Sequence, residues 1–310
     1  DHREQILWLA VSDFRDLKVL NQRLDSLPAP TVDPCVTPSL EFLQTQQDYE
    51  AGVKQALEYI RRGDIFQANL SLRFQTPPTQ GGWPVYRRLQ SLNPSPFASY
   101  WRSPWGEVVS CSPERLVAVR GQQIQTRPIA GTRPRGRSPE EEARLIRELI
   151  TTPKERAEHI MLVDLERNDL GCLCRWGTVR VDELLAIERY SHVLHLVSNI
   201  TGELRTTAPG RILTALFPGG TITGCPKVRC LEIIEELEPV RRSLFYGSCG
   251  YLDQRGHLDL NILIRTLLFT SQAIVGQVGA GIVADSDPTQ EWRESLQKAK
   301  ALTQALGYDA

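Results

Sequence analysis

Leu258-Asp259-Leu260-Asn261-Ile262-Leu263-Ile264-Arg265-Thr266-Leu267-Leu268 and, after the break from Phe269 to Ala273, Ile274-Val275-Gly276-Gln277-Val278-Gly279-Ala280-Gly281-Ile282 are short runs of apolar, strand-forming residues. Turn formers bound them, Gly256 before the first and Ser271-Gln272 between the two, so both predict strands. A further strand-like run, Tyr246–Leu252, pairs with the first across Asp253 to His257. A helical pattern follows only at Pro288–Leu306. Parallel neighbours need a crossover of a dozen or more residues. Three strands in succession without one predict antiparallel pairing.

The same grammar extends upstream. Tyr49, Val53, Leu57 and Ile60 repeat at helix spacing from Asp48 until Arg62-Gly63-Asp64, and Ile65–Phe74 alternates like a strand. Phe97–Trp101 and Glu107–Cys111 are strand candidates around Gly106, and Leu116–Val119 with Gln123–Thr126 reads as a hairpin about Arg120-Gly121. Helical patterns cover Ser138–Ile150, Pro153–Glu166 and Cys225–Leu237, with a strand at Val193–Gly202 between the last two. Helices fall between hairpins without a regular βαβ alternation. The fold class is therefore α+β, with large antiparallel sheets and helices packed outside. Residues 1–47 read as a leader, a short helical pattern followed by proline-rich linker at Leu27 to Pro30 and Pro34 to Pro38. The chain opens on Asp1 rather than Met, which points to a trimmed start.

Composition narrows the function. The 310 residues are 41% hydrophobic, enough for a sizeable core, and 36 basic residues nearly balance 37 acidic ones. A nucleic-acid binder held by a general basic field would show a basic excess. No apolar run approaches the roughly 20 residues of a membrane span, and no signal-peptide pattern opens the chain. The seven cysteines are odd in number and form no repeated CxxC pair, which suits reduced thiols in a cytoplasmic protein.

Two helix starts share a design. Thr152-Pro153-Lys154-Glu155-Arg156-Ala157-Glu158 and Asp287-Pro288-Thr289-Gln290-Glu291-Trp292-Arg293-Glu294 each place a cap residue, a proline and two glutamates at i, i+3. That spacing puts both carboxylates on one helix face. Two such faces together would offer four carboxylates to a hard divalent cation such as magnesium. Each segment alone also reads as an ordinary helix start: Thr152 to Glu155 has the form of a capping box, and Glu294 with Lys298 that of a surface pair. Thr126 to Gly136 and Pro218 to Lys227 are basic, glycine-containing segments that can nest an anion, or simply turn the chain. Arg265 follows an apolar run, where an unpaired charge is costly. His195 lies between Leu194 and Leu196, and Gln67 and Glu114 fall in or beside strands. Structural hydrogen bonding is the plain alternative for these last three.

Gly63-Asp64-Ile65-Phe66-Gln67, Ser112-Pro113-Glu114-Arg115, the Pro128 to Gly136 segment, Asp164 to Gly171, His195-Leu196-Val197-Ser198 and Phe217 to Arg229 together resemble the chorismate-utilising family. It includes anthranilate synthase, aminodeoxychorismate synthase, isochorismate synthase and salicylate synthase. The likeness runs from about Asp48 to Leu306. It implies a sandwich of two antiparallel sheets with the active site between the layers, residues 48–310 as the chorismate-binding catalytic domain, and residues 1–47 as the remnant of a longer N-terminal part. It further implies that Glu158 and Glu294 bind magnesium directly, with Glu155 and Glu291 as an outer pair, and that the metal holds the ring carboxylate. Arg265 resembles the clamp on the enolpyruvyl carboxylate. Thr221, Gly281, Gly131, Thr132 and Ala130 resemble residues that line the substrate. Glu114 matches the general acid for the departing C4 hydroxyl, and His195 the histidine beside the substrate.

One residue separates the subfamilies. Isochorismate and salicylate synthases carry a lysine where this chain has Gln67, and a glutamine amide cannot activate water. The resemblance thus points to ammonia as nucleophile. Gly247-Ser248-Cys249-Gly250 is only a faint thiol elbow, inside a strand, so ammonia is expected from a separate glutamine amidotransferase subunit. The motifs at Gln67 to Ser71, Pro218 to Gly224 and Gly247 to Tyr251 resemble aminodeoxychorismate synthase. Ala130 resembles anthranilate synthase, because many aminodeoxychorismate synthases have a nucleophilic lysine there. The expectation is aminodeoxychorismate synthase, with anthranilate synthase as the alternative and a non-catalytic chorismate-binding paralogue as a third.

Overall fold

The structure, a computed structural model, describes residue 6 and residues 11–25, 39–78, 81–190 and 193–308. The linker expected at Leu27 to Pro30 and Pro34 to Pro38 lies outside them. The chain divides into two units, Asp1–Asp33 and Pro34–Ala310. The first contains helix α1 (Phe14–Asp25).

The second unit is built on two antiparallel sheets. One runs in spatial order β1 (Glu41–Phe42), β2 (Gln67–Thr76), β14 (Ile274–Ile282), β13 (Thr266–Phe269), β4 (Gly106–Ser112) and β3 (Phe97–Ser103), with β10 (Gly224–Cys225) also on β2. The other runs β11 (Gly250–Leu252), β12 (Leu258–Asn261), β5 (Arg115–Arg120), β6 (Gln123–Thr126), β9 (Val193–Glu203) and β7 (Ile129–Pro134), with β8 (Arg180–Arg189) on β9. Helices α2 (Gln46–Arg61), α3 (Gly82–Leu92) and α8 (Pro288–Ala305) share a core with the first sheet. Helices α5 (Pro153–Gly171) and α6 (Pro209–Leu216) share one with the second. Helix α4 (Pro139–Thr151) packs on β9 and α7 (Lys227–Leu237) on β2. This is the expected α+β architecture. No described helix is long and apolar enough to cross a membrane.

The second unit begins earlier than the leader was expected to end. Glu41 and Phe42 pair with Gln75 and Phe74 of β2, and Leu40 and Phe42 pack on the first core. Six elements escaped the sequence reading: α3, α6, β1, β7, β8 and β10. Strand β8, Arg180-Val181-Asp182-Glu183-Leu184-Leu185-Ala186-Ile187-Glu188-Arg189, is rich in helix formers, yet it pairs along β9 with two register irregularities. Pairing with a buried neighbour overrides its propensity.

Strand β2 shows how the sequence prepares an interior site. Ala68, Leu70, Leu72 and Phe74 enter the hydrophobic core under the helices. The alternate residues Gln67, Asn69 and Ser71 are buried as well. A strand buried on both faces but apolar on only one must satisfy the polar face from elsewhere. Ser71 N–H is met by Glu238, and the Asn69 carbonyl by Arg242. Arg242 and Glu238 pair at 2.6 Å with little exposure, and Tyr246 Oη donates to Asn69 Oδ1 at 2.5 Å.

The expected strand Leu258–Leu268 is two strands. Its first part, β12, belongs to the second sheet and its last, β13, to the first; Ile262–Arg265 crosses between them. Arg265 takes φ +50° there, a left-handed conformation uncommon outside glycine. The expected strand Tyr246–Leu252 is regular only at Gly250–Leu252. Tyr246 and Gly247 instead hydrogen-bond to Leu263 of the crossover.

Candidate active site

The chain passes from the first sheet to the second at Ser112-Pro113-Glu114, between β4 and β5, and returns at Ile262–Arg265. These crossovers are bonded to each other. Ile262 N–H donates to the Glu114 carbonyl at 3.0 Å, Ser112 Oγ donates to the Ile262 carbonyl at 2.5 Å, and Cys111 N–H donates to the Arg265 carbonyl at 3.1 Å. An acid and a guanidinium far apart in sequence are thereby held in each other's field. Glu114 is buried, and Thr221 Oγ1 donates to its Oε1 at 3.0 Å. Burial pushes the Glu114 carboxyl up to about 7, against the Thr221 bond and the charges of Arg265 and Lys298. It is thus substantially protonated near neutrality, as an acid catalyst must be. Arg265 Nη1 donates to Asn93 Oδ1 at 3.0 Å, which aims the fork.

His195 of β9 lies opposite Thr132 of β7, and Thr132 Oγ1 and His195 Nδ1 are 2.9 Å apart. Burial holds the imidazole down to about 4, with the Arg265 charge second. His195 is therefore neutral at physiological pH. Between Ile129 and Thr132 the register slips, and Gly131 takes φ +82°. A Cβ there would stand 2.8 Å from Leu149 Cδ1. Glycine thus lets the strand turn Thr132 toward His195 and buries Ala130.

The cationic side chains of the two basic segments are taken up by ion pairs. In the first segment Ile129–Pro134 is strand β7, and the segment's arginines are paired: Arg127 with Glu183 and Glu188, Arg133 with Glu155 and Glu148, Arg135 with Glu142. In the other segment Lys227 is bound to Asp169 at 2.7 Å. That segment serves instead to present Thr221, from a short 3-10 turn at Gly220–Ile222, to Glu114.

Of the predicted metal residues, Glu158 on α5 and Glu294 on α8 lie toward one strand, β14, the second through Lys298. Glu158 Oε1 on α5 lies 3.5 Å from Gln67 Nε2. A Cβ on Gly281 would meet that same amide nitrogen at 2.4 Å and Glu158 Oε1 at 3.6 Å. Gly281 therefore leaves room for Gln67 and Glu158 to meet. On α8, Glu294 pairs with Lys298 at 2.8 Å, and Lys298 Nζ also donates to the Gly279 carbonyl at 2.9 Å. Glu291 accepts from Ser286 at 2.6 Å. Glu155 pairs with Arg133 at 2.6 Å while its Oε2 is buried without a hydrogen-bond partner. Among the described residues no three such side chains stand together as a metal cluster, so the four carboxylates do not form one group here. The capping box expected at Thr152 is not made either. The Thr152 hydroxyl donates back to the Glu148 carbonyl, which leaves the Glu155 carboxylate to Arg133. Asp287 does cap α8, accepting from Gln290 N–H.

Two further residues belong to this region. Lys298 has the sequence form of a surface pair, but its charge reaches Glu114. Glu166 sits in a charged stretch of α5, and nothing in the stretch marks its carboxyl as buried. Burial pushes it up to about 8, with the Thr126 hydroxyl opposing and Glu114 adding to the rise.

Residues 1–304 match the sequence pattern of the chorismate binding enzyme family. The chain belongs to that family. Among its members, the chain is 65% identical to the anthranilate synthase component I-like protein of Synechocystis sp., over 99% of this chain and 64% of that one. It is 46% identical to aminodeoxychorismate synthase component 1 of Bacillus subtilis, over 99% of this chain and 68% of that one. It is also 46% identical to anthranilate synthase component 1 of the same Synechocystis strain, over 84% of this chain and 54% of that one. The chain thus spans about two thirds or less of these family members. The crystal structure of anthranilate synthase component I from Streptococcus pneumoniae superimposes with a TM-score of 0.83 at 36% identity, over 94% of this chain and 66% of that one.

Proposed function

We propose that this chain aminates chorismate with ammonia at C4, giving 4-amino-4-deoxychorismate, as the synthase component of a cytoplasmic aminodeoxychorismate synthase in folate biosynthesis. The observation that carries the reading is the buried Glu114 carboxyl, substantially protonated, set beside Arg265 by the paired crossovers. A neutral carboxyl next to a guanidinium suits an anionic substrate with a poor leaving hydroxyl. Arg265 holds a carboxylate by its planar fork, and Glu114 passes its proton to the hydroxyl as the C–O bond breaks. Thr221 orients the acid, while neutral His195, tied to Thr132, closes the side of the site without adding charge.

Magnesium suits these carboxylates by their chemistry, since hard cations take oxygen ligands, and the buried Glu155 Oε2 has no hydrogen-bond partner; the four would have to gather around the ion, because they do not form one group without it. Glu158 and Glu294 would hold it, with Glu155 and Glu291 behind. When bound, it supplies Lewis-acid polarisation of the ring carboxylate. The ammonia comes from a separate glutamine amidotransferase subunit.

The C4 product is supported by a pair of relatives. Synechocystis carries both a protein named anthranilate synthase component 1 and a second, anthranilate synthase-like one, and this chain is far more similar to the second. The aminodeoxychorismate synthase component 1 of Bacillus subtilis also aligns along nearly the whole of this chain, whereas the anthranilate synthase component 1 of Synechocystis aligns with 84% of it. Ala130 favours a second reading, anthranilate, since alanine offers no nucleophile for the covalent route through C2. The test is incubation with chorismate, magnesium and an ammonium salt, followed by a lyase that converts aminodeoxychorismate to 4-aminobenzoate. 4-Aminobenzoate appearing only with the lyase supports the C4 product. Anthranilate formed without the lyase overturns it.

A further inference from the structure

Tyr246 takes φ +62°, an outlying conformation for a bulky side chain. Such strain persists only where the surroundings impose it, and it gathers at functional sites. Two hydrogen bonds hold this residue. Its N–H donates to the Leu263 carbonyl at 3.0 Å, in the crossover that carries Arg265. Its Oη donates to Asn69 Oδ1 at 2.5 Å, on the polar wall of β2. The ring is buried, stacked on Phe245 with centroids 3.8 Å apart and covered by the Arg242 guanidinium at 5.0 Å. Burial pushes the phenol up, so it remains a donor at any working pH. Gly279 of β14 makes room for the bond: a Cβ there would stand 2.6 Å from Tyr246 Oη and 2.9 Å from Asn69 Oδ1.

Asn69 faces the turn that carries Thr221. Its N–H donates to the Thr223 carbonyl at 3.0 Å, and its Nδ2 reaches the Thr221 carbonyl at 3.5 Å. A carbonyl can only accept, so the amide must turn Nδ2 to Thr221, which leaves Oδ1 for Tyr246. The Tyr246 hydroxyl thus fixes the direction of the amide. From the same turn, Thr221 Oγ1 donates to Glu114 Oε1 at 3.0 Å. A hydrogen bond to a carboxylate favours its charged form, so this one strengthens as Glu114 gives up its proton. The gain belongs to the transition state, and it depends on where the turn stands.

We propose that Tyr246 and Asn69 are positioning residues: through their hydrogen bond they set the turn of Thr221 against Glu114 and tie it to the crossover of Arg265. This rests on the reading of Glu114 as the general acid. The test is steady-state kinetics of Tyr246→Phe over a range of pH, with circular dichroism to establish folding and Asn69→Ala as a second variant should the first not fold. Tyr246→Phe keeps the ring and the backbone bond to Leu263 and loses only the hydroxyl. It should lower kcat at least about tenfold, as a small misplacement near the reacting atoms does, and leave KM for chorismate within about twofold. The wild-type rate should fall as Glu114 ionises with rising pH. Arg265, Lys298 and Glu166 also act on Glu114, and the variants leave all three in place. Losing the Thr221 bond should therefore move that alkaline limb to higher pH, and Thr221→Val should move it likewise. A merely structural loss would lower the rate and leave the limb where it is. Adding Tyr246→Phe to Thr221→Val should cost less than about twofold more, because residues that act through one another do not multiply their losses. A limb that stays in place in the folded variants, or losses that multiply, overturns the proposal. A Glu114→Gln variant that turns over chorismate at the wild-type rate overturns the reading of the acid and this proposal with it. An inactive Glu114→Gln beside an unaltered Tyr246→Phe overturns this proposal alone.

Discussion

Glu114 is an ordinary carboxyl moved to an unusual place, and its chemistry follows from that move. Replacing it with glutamine keeps the shape and the Thr221 contact but removes the transferable proton. Glu114→Gln should bind chorismate and turn it over at least about 100-fold more slowly, a comparison made by steady-state kinetics alongside equilibrium binding. In the wild type the acid must be protonated, and its titration lies near 7. The rate should therefore fall as pH rises through that value, and the limb should vanish in Glu114→Gln. Metal binding is also settled residue by residue. Glu158→Gln and Glu294→Gln should each weaken magnesium binding in calorimetry while leaving the circular dichroism spectrum unchanged. Wild-type magnesium affinity in both variants would remove these residues from the metal site.

Two elements carry the site, the crossovers and the polar wall of β2. The wall depends on the Arg242–Glu238 pair, which is largely buried and holds the Asn69 and Ile222 carbonyls and the Ser71 amide. Removing one partner of a buried pair leaves an uncompensated charge, at a cost of about 3–5 kcal/mol. Glu238→Ala should lose that much in urea unfolding, and activity should fall with it because Ile222 adjoins Thr221. The cap of α8 is a smaller matter. Asp287→Ala should cost about 1 kcal/mol, and a larger loss would mean that the α8 start is anchored through more than its cap.

At the scale of the whole molecule, two carboxyls pushed up by burial, Glu114 and Glu166, link stability to pH. A carboxyl raised above its unfolded value binds more protons in the folded state than in the unfolded one between the two values. Its contribution is complete below about 4.5, the ordinary value, and is lost as pH rises through about 7 and about 8, the direction linkage requires. The melting temperature should therefore drop between pH 5 and pH 8.5, and Glu166→Gln should flatten that drop. A profile equally steep in Glu166→Gln would show that Glu166 ionises alike in both states. The division of labour between chains is tested at the same scale. The purified chain should use ammonium salts but not glutamine, consistent with a Cys249 thiol that burial pushes up and away from thiolate chemistry. Robust glutamine-dependent product from this chain alone would refute a separate ammonia source.

The amino-acid order by itself determined the α+β class and most strands and helices, and its motifs led, through their resemblance to the family, to the expectation that Glu114, His195, Gln67 and Arg265 share one site. These depend on short-range signals: alternation, helix spacing, caps, and motifs of adjacent residues. It also marked Glu155, Glu158, Glu291 and Glu294 as two carboxylate pairs, because i, i+3 spacing fixes a shared helix face. Only the tertiary structure decided that Leu258–Leu268 breaks at Ile262–Arg265 and changes sheets, since an apolar run reads alike whether it stays in one sheet or crosses to another. The same holds for β7, whose glycine and arginines look like a loop until β9 supplies hydrogen-bond partners and acidic neighbours supply ion pairs. Burial of Glu166 and the reach of Lys298 toward Glu114 were equally hidden. Proton affinity depends on the dielectric and charges around a group, and those come from residues distant in the chain.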